Sequence, residues 1–301
     1  FGLGIETPVG RVVHSGDFKI DRNPLDGHAT DLGAFERFSD PGVLLLFSDS
    51  TNVEREGHAL TEREIKKSLG DIFDQATGRI LVTMFSSHIQ RMQEVMDLAR
   101  DTGRKVVISG KSLFSNFELA KEHGFLKVKN DQVISLDELG HYPDEQLVIL
   151  VTGSQGEPLS ALARVAQDEH KQIRIHPGDL VIMSSRFIPG NIRAITQLIN
   201  RLYRLGAEVL YEKVHEIHAS GHAYREELKT MLDTVRPKFF VPIHGEYRHL
   251  VKHAKLAREQ GVAPERAIVL DDGQPLTLLK DGGMRLEEPI PVSSILVDGK
   301  G

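Results

Sequence analysis

The chain has 301 residues, 40% of them hydrophobic and 27% charged, an ordinary globular composition and enough length for about two domains of roughly 150 residues. It contains no cysteine, which excludes disulfides, zinc ribbons, iron–sulfur clusters and thiol catalysis, and suits a cytoplasmic protein. Lys and Arg total 37 against 43 Asp and Glu, a formal charge of −6, so nothing supports a bulk cationic nucleic-acid binder, although a local basic groove is compatible.

Ile5 to Ser15 reads as a hairpin around Thr7-Pro8-Val9-Gly10. Val43–Phe47 is a short apolar run of the buried-strand type. Thr61 and Glu64 form a capping-box pattern ahead of Ile65, Leu69, Ile72 and Phe73, and Gly78 stands past that helix. Arg79–Phe85 reads as a strand, and Ile89, Met92, Met96 and Ala99 mark a helix stopped by Gly103. Strands follow at Lys105–Ser109, Leu147–Val151 and Leu180–Ser184, then a helix from Asn191 to Gly206 and a strand at Ala207–Tyr211. A helix over Ala223–Val235, a strand at Lys238–Pro242 and a helix ending before Gly261 come next. The tail turns β-rich, with short strands expected at Ala267–Leu270, Leu276–Lys280 and Met284–Glu287. No apolar run reaches the roughly 18 residues of a membrane helix, and no signal-peptide pattern opens the chain. Phe1-Gly-Leu has no initiator Met, and Ile295–Gly301 stops where a strand would turn, so both ends read as cut from a longer chain.

Histidine carries the strongest chemical signal: His215, His218, His222, His244, His249 and His253 crowd one stretch. His218-Ala-Ser220-Gly221-His222 lies between a strand and a helix start, the place where open α/β sheets bind ligands and where backbone N–H groups suit an anion. An ordinary helix cap with solvent-facing histidines fits the same residues. His244 stands at the tip of the apolar strand Phe239-Phe-Val-Pro-Ile, suited to ligate a metal or simply to bond a backbone carbonyl. Asp17, after Val12-Val-His14-Ser-Gly, and Asp49, in Ser48-Asp-Ser-Thr-Asn52, are carboxylates delivered at strand ends, though Ser-Gly-Asp is also plain turn chemistry. Three further loops follow apolar strands: Phe85-Ser-Ser-His88, Thr152-Gly-Ser154-Gln155-Gly-Glu157 and Ser184-Ser-Arg186 through Asn191. Their hydroxyls, glycines and guanidinium could grip a phosphate or merely cap helices.

Taken together and in order, His14-Ser-Gly-Asp17-Phe-Lys, Ser48-Asp-Ser-Thr-Asn52, Thr152-Gly-Ser-Gln-Gly-Glu-Pro, Ile188-Pro-Gly-Asn191, His218-Ala-Ser-Gly-His222 and Pro242-Ile-His244-Gly-Glu resemble the β-CASP branch of the metallo-β-lactamase fold. The resemblance implies an α/β architecture: a partial αββα sandwich from residues 1–56 and 212–301, with an inserted β-CASP domain over 57–211. It further implies a ribonuclease using two divalent ions, zinc or else manganese or magnesium, and cutting RNA 5′→3′ and internally. Asp17 would bridge the metals and His244 would supply a late ligand. Asp49 would order the site, and His222 would contact the scissile phosphate and protonate the leaving oxygen. Ser220, Gly221 and His218, with Ser154, Gln155 and Arg186, would line the RNA path and a 5′-monophosphate pocket.

The branch's His-x-His-x-Asp-His motif is not among these residues, so this stretch by itself is expected to be inert; the resemblance separately implies a homo-oligomeric full-length form. The alternatives are a non-catalytic RNA-binding β-CASP scaffold and a hydrolase of the same fold acting on another substrate.

Overall fold

The computed structural model describes residues 2–25, 27–212, 217–293 and 295; His215 and the expected strand end at 296–301 fall outside them. In chain order the first elements are β1 (Leu3–Thr7), β2 (Gly10–His14), α1 (Leu32–Ser39), β3 (Leu45–Asp49) and α2 (Glu62–Gln75). Then come β4 (Ile80–Thr83), α3 (Ile89–Asp101), β5 (Lys105–Ser109), α4 (Lys111–Glu122), β6 (Leu147–Val151), α5 (Ala161–Ala166) and β7 (Leu180–Met183). The chain continues through α6 (Ile192–Arg204), β8 (Glu208–Tyr211), α7 (Arg225–Val235), β9 (Phe239–Ile243) and α8 (Tyr247–Glu259), then β10 (Leu276–Leu278) and β11 (Met284–Leu286). No helix among the described residues is long and apolar enough to cross a membrane.

Two compact units divide the chain, one formed by residues 1–61 with 220–301 and the other by 62–219. The first holds a four-stranded sheet in the order β1-β2-β3-β9. β1 and β2 are the antiparallel hairpin that the turn residues predict, with Thr7 opposite Gly10. β2, β3 and β9 are parallel, with Val13 beside Leu46 and Leu46 beside Phe240. Because side chains alternate along a strand, Val13, Leu46 and Phe240 pack with Met231, Leu232, Ala254 and Ala257 of α7 and α8. Their neighbours Val12, Leu45, Phe239 and Val241 pack instead with Ile268, Leu270, Leu276 and Met284 from the C-terminal part of the chain.

The second unit is a five-stranded, wholly parallel sheet in the order β5-β6-β4-β7-β8. All five residues of β6 are buried, as a continuous apolar run covered on both faces requires. Arg79, just ahead of β4, is buried, and its guanidinium forks onto both carboxylate oxygens of buried Asp179 at 2.9 and 2.6 Å.

Several expectations are corrected. β3 begins two residues later than the apolar run suggests, because the paired ladder starts at Leu45 and carries Asp49 as its last residue. Ala267–Leu270 is no strand; it touches the sheet through a single bridge to Phe240. Helices α1, α4 and α5 are absent from the sequence-based expectation. α5 is six residues with all but Arg164 buried, so it has no polar face to reveal its period.

Candidate metal and catalytic site

β2, β3 and β9 run the same way, so their carboxyl ends share one edge of the sheet, and each end delivers a polar side chain. Asp17 lies just beyond β2, Asp49 closes β3, and His244 is the first residue after β9. His222 joins them from the segment ahead of α7. One ligand-type atom from each of Asp17, Asp49, His222 and His244 lies within 4.8 Å of all the others.

Asp49 is the buried centre, 1% exposed. Its Oδ2 is 2.8 Å from His222 Nδ1, and its Oδ1 accepts the Thr51 backbone N–H at 3.0 Å. Thr51 Oγ1 lies 2.7 Å from the same Oδ1, and His244 Nδ1 lies 3.3 Å from it. Burial alone would raise the Asp49 pKa, but the hydrogen bonds from His222 and Thr51 outweigh it and hold the carboxyl below its ordinary range. The imidazoles of His222 and His244 stack at 5.2 Å with an angle of 23° between planes.

Local turns explain how these side chains arrive. Gly16 takes a φ of +61° between β2 and Asp17, and its N–H donates to His14 Nδ1 at 3.0 Å. Ser15 Oγ accepts the Asp49 N–H at 3.0 Å, tying that turn to β3. His244 itself has a φ of +54°, a left-handed conformation uncommon outside glycine, and Thr51 Oγ1 is 2.9 Å from both its carbonyl oxygen and its Nδ1. Its side chain therefore faces carboxylates and a hydroxyl, not the backbone carbonyl of the plainer alternative.

The structure redistributes the loop residues. Ser220 is buried, and its hydroxyl accepts N–H groups from Asn52 at 2.8 Å and from His222 at 3.1 Å. Asn52 also donates to the His222 carbonyl at 3.0 Å. Gly221 is exposed, and an added Cβ would meet nothing within 4 Å. At the start of α7 the backbone N–H groups of three successive residues already have partners within the protein. Tyr224 donates to Glu227 Oε2 at 2.8 Å, Arg225 to the Arg55 carbonyl at 3.0 Å, and Glu226 to the Gly57 carbonyl at 3.1 Å. Asn52 and Thr51 were legible only as the polar run after an apolar strand, without any sign of which atoms they would hold.

In the second unit, Ser154 and Gln155 follow β6, and Arg186 follows β7. Gln155 is buried; its amide donates to the Arg186 carbonyl at 2.8 Å and to Ser185 Oγ at 3.3 Å, and accepts the Ile188 N–H at 3.0 Å. Its polar atoms thus staple two loops together. Ser154 is also buried, whereas Arg186 and His218 are half-buried in the same unit.

Two carboxylates and two imidazoles in one cluster are the donor chemistry of a divalent ion. The fit is better for Asp17 and His244, whose side chains are 60% and 51% exposed and 3.6 Å apart, than for Asp49 and His222, which are bonded to each other.

Comparison with known proteins follows the same lines. Residues 77–202 match the family described as "Ribonuclease J, beta-CASP domain", and residues 206–269 match the "Zn-dependent metallo-hydrolase RNA specificity domain". These matches and the parallel sheets indicate a metallo-β-lactamase-like fold. The chain is 44% identical over 300 residues to ribonuclease J of Thermus thermophilus, covering 100% of this chain and 52% of the relative. It is 43% identical over 299 residues to ribonuclease J of Synechocystis, covering 99% and 47%. With ribonuclease J2 of Bacillus subtilis the identity is 34% over 300 residues, covering 100% and 54%. The chain therefore spans about half the length of these curated relatives.

Proposed function

The chain belongs to the ribonuclease J family, about half of whose length it spans, and on that premise we propose that it serves the divalent-metal-dependent hydrolysis of RNA phosphodiesters. We assign residues 62–219 to the inserted β-CASP domain and the remainder to the metallo-β-lactamase part. The reading includes 5′→3′ exonuclease action with internal cutting, two zinc-class ions, a cytoplasmic location and a homo-oligomeric full-length form.

The observation that carries the reading is the Asp49–His222 pair inside the four-residue cluster. Asp49, held as an anion, accepts Nδ1–H of His222 and so fixes the ring's orientation and the direction of Nε2. A protonated His222 then donates from Nε2 to a phosphate oxygen and delivers that proton to the departing ribose oxygen. Asp17 and His244 are the residues that would hold a divalent ion, which when bound neutralises phosphate charge and activates the attacking water. Asn52 and Ser220 keep the His222 segment in place. Gln155 orders the loop that carries Arg186, and Arg186 with Ser154 is proposed to favour a 5′-monophosphate.

The test is cleavage by the full-length protein of 5′-monophosphate and 5′-hydroxyl RNA, with and without a chelator, alongside Arg186→Ala. Chelator-sensitive release of nucleotides, with a 5′-monophosphate preference that shrinks in Arg186→Ala, supports the proposal. RNA binding without cleavage or bound metal would replace it with the scaffold reading.

A further inference from the structure

Beside the cluster lies a histidine that the mechanism does not use. His253 of α8 is fully buried, and its ring meets the edge of Phe240 at 4.8 Å and 64°. Its Nδ1 is 3.0 Å from Ser50 Oγ, whereas its Nε2 is buried with no hydrogen-bond partner among the described residues. An orphaned buried nitrogen destabilises the folded state, so a leucine would fill this space at lower cost. Packing therefore gives no reason for an imidazole here. What it offers, and an aliphatic side chain cannot, is the bond to Ser50.

Ser50 occupies a junction. It directly follows Asp49, and its N–H donates to the Ile243 carbonyl at 2.9 Å, one residue before His244. A Cβ on Gly245 would come within 3.3 Å of Ser50 Cβ, so the turn after His244 packs directly on it. The Ser50 backbone joins the two strand ends that carry Asp49 and His244, and its side chain is held from beneath by His253.

We infer that His253 is a positioning residue: through Ser50 it fixes the junction of β3 and β9 and so the placement of Asp49 relative to His244. The inference rests on the reading of Asp49 and His244 as site residues. It requires no contact between His253 and substrate or metal. Misplacing a catalytic group by about an ångström can cost on the order of a hundredfold in rate, so a lost clamp is costly even where the fold survives.

The experiment uses the full-length protein with His253→Leu, His253→Asn and Ser50→Ala. It reads kcat and KM on RNA, the urea midpoint, and the side-chain nitrogen shifts of isotope-labelled His222 and His244. His253→Leu is expected to unfold no earlier than the wild type, to lose about tenfold or more in kcat with KM little changed, and to shift the His244 nitrogens. Asparagine can present an amide near the place of Nδ1, so His253→Asn should recover most of kcat. Ser50→Ala should match His253→Leu, and the double variant should be no worse than either single one, as expected for two halves of one bond. Unchanged kcat and unchanged His244 shifts in His253→Leu would overturn the inference, as would a rate loss that follows stability and that asparagine does not rescue. If His253→Leu fails to fold, Ser50→Ala carries the same comparison. If the wild type cuts no RNA, the ribonuclease reading fails alone, and the nitrogen shifts still decide the role of His253.

Discussion

Asp49 Oδ2 and His222 Nδ1 lie 2.8 Å apart although 173 residues separate them in the chain. The pair has the form of an orienting carboxylate on a proton-transfer imidazole, with the carboxylate buried and the ring one-quarter exposed. Removing the imidazole should therefore stop proton delivery without emptying the metal site. In the full-length protein His222→Ala is expected to lower kcat about a hundredfold or more while bound metal stays at the wild-type level. Asp49→Asn should also impair turnover, since an amide can present an N–H to the ring and impose the wrong tautomer. Single-turnover cleavage with metal analysis on the same samples checks both, and normal turnover in His222→Ala would remove that residue from the mechanism.

Asp17 has the opposite profile. Its side chain is 60% exposed and faces His244 at 3.6 Å, which suits a ligand and not a support. Asp17→Ala is expected to lower metal stoichiometry and activity together, with thermal stability of the metal-free protein nearly unchanged. Elemental analysis after dialysis decides the matter, and full metal content in the variant would refute the ligand role.

Glu227 carries a structural load out of sight of the cluster. It is 1% exposed and accepts N–H groups from Ile20 at 2.7 Å, Tyr224 at 2.8 Å and Ala59 at 2.9 Å. Glu227→Ala leaves three backbone donors without their acceptor and should cost about 3 kcal/mol or more. Urea unfolding measures it; a loss below about 1 kcal/mol would mean that water replaces the carboxylate without strain.

His253 gives the fold an acid-sensitive point. Burial pushes its pKa from 6.5 down to about 3, opposed by the nearby Asp49 charge. The unfolded chain takes up a proton at this residue near pH 6.5, while the folded chain takes none until about pH 3. Protonation then favours unfolding, so this contribution is complete above about pH 6.5 and is lost as the pH falls toward 3. Unfolding midpoints between pH 7.5 and 4.5 should decline less steeply in His253→Leu, by the slope of up to one proton. Parallel curves for the two proteins would show that His253 does not titrate on unfolding.

Much of the architecture was legible because the strands of the second unit are bare apolar runs. Lys105–Ser109 and Leu147–Val151 match β5 and β6 residue for residue. The hairpin around Thr7 and Gly10 was legible for a different reason, its turn residues. Helix α4 was not, since its cap is Gly110, which offers no side-chain signal, and α1 hid in a polar stretch despite Asp31 accepting the Ala34 N–H at 2.8 Å. In the candidate site, the motifs named the four clustered residues. They gave no hint that the start of α7 was already filled by the carbonyls of Arg55 and Gly57 and by Glu227.

The sequence by itself determined which residues were at strand ends, because alternation and turn chemistry depend on near neighbours in the chain. Six short motifs in a fixed order also carried the resemblance to the β-CASP branch of the metallo-β-lactamase fold. Only the tertiary structure decided which atoms meet. Parallel registry of β2, β3 and β9 puts three strand ends on one edge, and that registry is set by pairing between segments as far apart as Leu45 and Phe239. Whether a hydroxyl or amide serves a ligand or another loop depends on such partners. The sequence marks Gln155 and Ser220 as polar loop residues after a strand, and only the tertiary structure shows which protein atoms they hold, the Arg186 carbonyl and the Asn52 amide.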